Sequence, residues 1–170
     1  MIRKIALAAA LLGANPAHAL DGAWLEVGGG DHGTERAGGA LMWKWSRSWF
    51  ADTGWELGGY WELSAGGWRT DHLVADIGFT PVFRLQRADW AGPYLEAAIG
   101  FHLLSDRSLT RERESGSNFQ FGDHVGFGVR FGPRGRYDLG VRLLHLSNAG
   151  LRQPNPGINF AVLRLAYHLD

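Results

Sequence analysis

The sequence predicts an all-β protein, an eight-stranded antiparallel transmembrane β-barrel with a filled polar interior, and three observations carry that expectation. Apolar residues recur with a period of two along almost the whole chain, the pattern of strands whose two faces meet different surroundings. The odd-numbered face is nearly all apolar, while the even-numbered face mixes glycine and alanine with single charges of both signs. The leading segment reads as an export signal. Composition agrees with this. The chain's 170 residues include 25 glycines, 8 tryptophans, 9 phenylalanines and 4 tyrosines, and no apolar run beyond the N-terminus is long enough for a membrane helix.

The domain organisation is a signal peptide over residues 1–19 followed by one outer-membrane β-barrel over residues 20–170. Arg3 and Lys4 precede an apolar run from Ile5 to Leu12, and Ala17-His18-Ala19 forms a small-residue cleavage site. A buried N-terminal helix would need an amphipathic stripe, and this run is apolar all round.

The eight strands follow in order. Ala23, Leu25 and Val27 alternate with Trp24 and Glu26, giving a strand near 23–29. Leu41, Trp43 and Trp45 flank Met42 and Lys44 in a second near 38–48, and Trp55, Leu57, Gly59, Trp61 and Leu63 mark a third near 53–64. The longest alternation, Leu73 through Leu85, predicts a strand over 70–86, and Leu95, Ala97, Ile99, Phe101 and Leu103 predict one over 92–104. Val125, Phe127, Val129 and Phe131 fall in 118–132, Tyr137, Leu139, Val141 and Leu143 in 136–147, and Ala161 to Leu169 in 158–169. Short turns are expected at 48–52 and 132–136, and longer loops at 29–38, 105–117 and 148–157. Trp43, Trp45, Trp55 and Trp61 suit interfacial aromatic belts.

The even face carries Glu26, Lys44, Glu56, Glu62, Asp76, Arg84, Glu96, Arg130, Asp138, Arg142 and Arg164. A face open to water has no need to intersperse glycine with sign-balanced charges, whereas a narrow lumen must use small residues and pair its charges. An eight-strand barrel has an interior just wide enough to be filled by side chains. Apolar outside, polar inside and about ten residues per strand describe a small outer-membrane barrel. A soluble lipocalin-like barrel is the alternative architecture, and the chain ends in Asp170, where such membrane barrels often end in an aromatic residue.

Charge and cysteine content exclude other classes. With 17 basic and 17 acidic side chains there is no net field to attract nucleic acid, and the absence of cysteine removes disulfides, thiolate metal sites and cysteine nucleophiles. No cofactor and no metal is expected. His32 and His72 lie near strand ends without metal-like spacing and read as solvated, and His124 is even-numbered and reads as a lumen hydrogen-bonder. Gly28-Gly29-Gly30 precedes no helix, so it is no phosphate cradle. The segment Ser105–Ser117, with Arg107, Arg111 and Arg113 beside Glu112 and Glu114, reads as a solvated loop or as a contact for anionic headgroups.

The chemistry concentrates at the end of the seventh strand. His145 and Ser147 are two residues apart and so point the same way, side by side on the apolar outer face. A hydroxyl beside an imidazole suits a nucleophile and its base, and it also suits a polar pair in the headgroup belt. Antiparallel pairing about residue 152 places Asn159 opposite His145, and pairing about Arg134 places Asp123 opposite it on the other side. A carboxylate facing lipid is costly and usually functional. Four polar groups meeting on a lipid-facing patch fit Ser-His-acid chemistry on a lipid ester.

His145-Leu146-Ser147-Asn148-Ala149-Gly150, followed by Gln153-Pro154-Asn155-Pro156-Gly157-Ile158, resembles the signature of the lipid A 3-O-deacylase (PagL) family. The resemblance is strongest over residues 137–169. It implies an outer-membrane barrel with a catalytic triad on its outer wall that removes the acyl chain ester-linked at position 3 of lipid A. At the matching positions it implies Ser147 as nucleophile and His145 as base. Asn148 and Asn155 match family asparagines, with Asn155 as an oxyanion-hole contributor. The family's third member is a glutamate directly after Gly-Ile, and here that position holds Asn159. A carboxamide oxygen accepts the proton on His145 Nδ1 but does not neutralise an imidazolium. The expectation is therefore that Asn159 orients the histidine and Asp123 supplies the charge.

The implied partners are lipid A of lipopolysaccharide and the surrounding outer-membrane lipid, with a homodimer as an open possibility and no nucleic acid. The competing reading from another class is a non-catalytic small outer-membrane barrel, structural or adhesive.

Overall fold

The alternation of apolar and polar residues closes on itself in the computed structural model, which describes residues 19–89 and 91–169. Eight strands pair antiparallel, each with the next, and the last returns to the first in a closed barrel. They are β1 (Gly22–Gly30), β2 (Glu35–Lys44), β3 (Trp55–Arg69), β4 (Leu73–Arg87), β5 (Gly92–Leu104), β6 (Phe119–Phe131), β7 (Tyr137–Ser147) and β8 (Ile158–His168). The export signal expected over residues 1–19 lies, apart from Ala19, outside the described residues.

Several boundaries differ from the sequence expectation, and where β2 and β3 are extended one physical reason accounts for it. The stretch 29–38, expected as a long loop, is mostly strand: β1 runs to Gly30, and β2 starts at Glu35 instead of residue 38 and stops at Lys44 instead of residue 48. Likewise β3 continues past residue 64 to Arg69. The glycines that suggested a loop are paired on both sides, Gly38 with Glu26 and with Gly66. There the strands crowd so closely that a Cβ on Gly38 would lie 3.1 Å from the Ala65 carbonyl oxygen. Glycine serves here as a spacer within the sheet, not as a turn former.

The odd face is the outer wall. Leu25, Val27, Ile77, Leu95, Ile99, Val125 and Phe127 are all more than half exposed, a continuous apolar surface that only a lipid phase would cover. Aromatic contacts gird it near one end, where Trp45 packs edge-on against Trp61 and Phe83, and where Tyr137 lies between Phe131 and Tyr167.

The even face fills the lumen, and its charges are paired. Glu96 is the hub: Arg84, Arg142 and Arg164 each donate an Nη2 to it, at 2.8, 3.0 and 3.2 Å. Arg142 also bridges to Glu62 at 3.1 Å, and Arg84 to Asp138 at 2.6 Å. Extending β2 adds an arginine that sequence reading had left in a loop. Arg36 reaches Glu26 at 2.9 Å and Asp76 at 2.7 Å. Burying this many charges is tolerable only because nearly every one meets an opposite charge and further hydrogen bonds. His124 does face the lumen, but its Nε2 stays 3.9 Å from Glu96 and makes no hydrogen bond. Toward the end that carries the β5–β6 and β7–β8 loops, the lumen is closed by an apolar layer. Trp68, Leu144, Leu146 and Phe160 pack there with Leu109, whose loop dips in and accepts the Trp68 indole proton at 2.9 Å.

Candidate active site

Parity and register build the site. On β7 the residues alternate between lumen and wall, so Leu144 and Leu146 are buried while His145 and Ser147 face outward, half-buried. Pairing then fixes the neighbours: His145 faces Asn159 across β8 and Asp123 across β6, and Ser147 faces Phe121. One row of the wall thus runs Ile99, Asp123, His145, Asn159.

The four residues are not equally coupled. The His145 Nδ1 lies 2.8 Å from the Asn159 Oδ1. With the proton on Nδ1 donated to that oxygen, Nε2 is the nitrogen left for the Ser147 hydroxyl. Asp123 flanks the imidazole from the other strand without a hydrogen bond to it, and no hydrogen bond joins Ser147 to His145 among the described residues. Such catalytic bonds often tighten only when substrate is bound.

The carboxylate that does bond within the row is one that sequence reasoning missed. Asp31, in the short turn after β1, accepts the side-chain amide of Asn159 at 3.0 Å and its backbone N–H at 3.2 Å, both on Oδ2. Arg113, from the β5–β6 loop, stands 3.8 Å from the same oxygen. No local sequence signal marks Asp31, because what brings it here is the closure of β1 on β8, with Gly30 paired to Phe160.

The loop after Ser147 is held by its asparagines. Asn148 is fully buried, and its amide donates to the Arg152 carbonyl at 2.8 Å and to Ser115 at 3.2 Å. Its backbone N–H donates to the Asn155 Oδ1 at 2.9 Å, which leaves the Asn155 amide nitrogen as the free donor of that side chain. Asn148 therefore braces the loop, and Asn155 is the asparagine with a donor to offer. Ala149 and Gly150 pass through the left-handed region, at φ 52° and 77°, to turn the chain. Gly157, at φ 64°, brings the loop back against the imidazole: a Cβ there would stand 2.7 Å from His145 Cε1. The β5–β6 loop packs on this turn, with Gly116 N donating to the Pro154 carbonyl at 2.7 Å. Its arginines are engaged with acids, Arg107 with Glu114 at 2.7 Å and Arg111 with Asp71 at 2.9 Å.

Beside the polar row the wall is furrowed. A groove of about 880 Å³ is lined by Asp31, Asp123, His145 and Asn159 together with the small residues Gly29, Ala97 and Ala161. In the neighbouring row Ala161 pairs with Gly29, so neither strand raises a large side chain there. An apolar furrow that opens on His145 suits an ester carrying a long hydrocarbon chain.

Known proteins resemble the chain in sequence and in fold. The family model described as lipid A 3-O-deacylase (PagL) matches residues 35–168. A lipid A deacylase PagL of Pseudomonas aeruginosa is 37% identical over 122 residues, which is 69% of this chain and 69% of that protein. A lipid A deacylase PagL of Bordetella bronchiseptica is 37% identical over 126 residues, 66% of this chain and 67% of that protein. The crystal structure of the outer membrane enzyme PagL superposes with a TM-score of 0.79 at 31% identity, covering 86% of this chain and 98% of that one.

Proposed function

The chain belongs to the lipid A 3-O-deacylase (PagL) family, and from that premise we propose how its residues carry the reaction. It is an outer-membrane hydrolase that cleaves the ester holding the acyl chain at position 3 of lipid A. Ser147 is the nucleophile. Its Oγ attacks the ester carbonyl carbon while its proton passes to His145 Nε2. The amide nitrogen of Asn155, left free by the bond from Asn148 N to its Oδ1, is the donor offered to the oxyanion, and Asn148 keeps that loop in shape. Collapse of the tetrahedral intermediate breaks the bond to the sugar oxygen, which leaves with the proton from His145. Water, deprotonated by the same histidine, then releases the fatty acid from Ser147. Asn159 holds the imidazole in the tautomer this sequence needs, and Asp123 adds a negative charge on its other side.

The observation that supports this reading is the bond between His145 and Asn159 on a lipid-facing wall, a polar contact with no packing role where apolar side chains would be favoured. The test is a mass spectrum of lipid A from cells that express the chain. Loss of the 3-linked acyl chain is expected, and unchanged lipid A would sink the assignment. A homodimer through the apolar wall is a further proposal, checked by crosslinking in the native membrane.

A further inference from the structure

We infer that Asp31 is a positioning residue for the reaction: by accepting the Asn159 amide it forbids the flipped amide and so fixes the productive tautomer of His145. The inference rests on the serine–histidine assignment given above.

An asparagine in the third position has a weakness that a carboxylate lacks. A carboxylate only accepts hydrogen bonds, so it always draws the Nδ1 proton of the imidazole. An asparagine can present its oxygen or its nitrogen. If its nitrogen faced His145, it would donate to Nδ1, the ring proton would move to Nε2, and the base for Ser147 would be gone. Replacing the triad aspartate by asparagine in serine proteases causes that wrong-tautomer loss, about 10⁴ in kcat.

Here the ambiguity is removed from behind. Asp31 Oδ2 takes both the side-chain Nδ2 of Asn159 at 3.0 Å and its backbone N–H at 3.2 Å. A carboxylate oxygen offers nothing to an amide oxygen, so the amide must turn its nitrogen to Asp31 and its oxygen to His145, where Nδ1 lies at 2.8 Å. Arg113, 3.8 Å away and without a hydrogen bond to it, tempers the charge of the carboxylate. The acid lost from the triad position is thus present one residue further along the same hydrogen-bonded row, in the turn that follows β1.

The experiment compares Asp31→Ala, Asn159→Glu and the double variant. Each is purified as a folded barrel and assayed on lipid A in detergent, and the His145 ring nitrogens are read by ¹⁵N NMR, assigned against His145→Asn. Asp31→Ala should lower kcat by between about tenfold and 10⁴-fold, the latter being the full wrong-tautomer loss, with KM little changed. It should also move the ring proton from Nδ1 to Nε2. In the Asn159→Glu background, removing Asp31 should cost nothing or raise activity, because glutamate accepts from Nδ1 unaided and is relieved of a like charge. Wild-type kcat in Asp31→Ala, an unchanged tautomer, or an equal loss in the Asn159→Glu background would each overturn the inference. If Ser147→Ala stayed active, the serine–histidine assignment would fall instead, while the tautomer measurement would still judge Asp31.

Discussion

His145 and Asn159 are Cα partners across the β7–β8 ladder, and their side chains meet at 2.8 Å between Nδ1 and Oδ1. Directly opposed residues on one face of an antiparallel pair are the shortest-range contacts a sheet offers. The geometry is therefore enforced by backbone pairing as much as by the side chains, and the amide occupies the triad place by register.

Ser147→Ala and His145→Asn should each leave a folded barrel, because both side chains lie on the wall and fill no core. Each should reduce release of the 3-linked acyl chain to background, a loss of about 10⁶ by analogy with other serine hydrolases. Acyl-chain release measured by mass spectrometry, with circular dichroism as the check on folding, decides it. Activity retained in Ser147→Ala removes that residue from the mechanism.

Asn159→Leu should cost more than Asp123→Asn. The first deletes the acceptor of the Nδ1 proton and should lower kcat by up to about 10⁴. The second removes a charge that acts on the imidazole without a hydrogen bond and should cost less than about tenfold, the scale of an exposed charge pair. The reverse order of the two variants would make Asp123 the effective third member.

Gly157→Val should inactivate without unfolding. A Cβ at this position would stand 2.7 Å from His145 Cε1 and 3.2 Å from Nε2, on the edge of the ring that serves Ser147. The ring would have to leave Asn159 or the loop would have to lift. Wild-type turnover in this variant would show that the loop moves freely away from the histidine.

Glu96→Leu should destabilise the barrel by about 3–5 kcal/mol, the cost of leaving buried charges without a partner. Arg84, Arg142 and Arg164 all converge on that carboxylate, and Tyr60 donates to it at 3.0 Å. Urea unfolding in detergent gives the number. Little change would mean that Glu62 and Asp138 suffice to hold the three arginines.

The alternation of residues by itself determined the barrel, its eight strands and the face that meets lipid, because side-chain direction in a strand is set by parity alone. It also determined the meeting of His145 with Asn159 and Asp123, since each pair lies symmetrically about a connection between consecutive strands, and counting from that connection gives the register. Two things it did not determine. Glycines such as Gly38 and Gly66 carry no side chain to show parity, so strands that run through them read as loops until their pairing is seen, and Arg36 was lost from the lumen with them. Asp31 reaches Asn159 only through the pairing of β1 with β8, strands at opposite ends of the chain with no turn between them to count from. The register of that seam follows from closing the whole barrel, and so the carboxylate behind the triad became visible only in the tertiary structure.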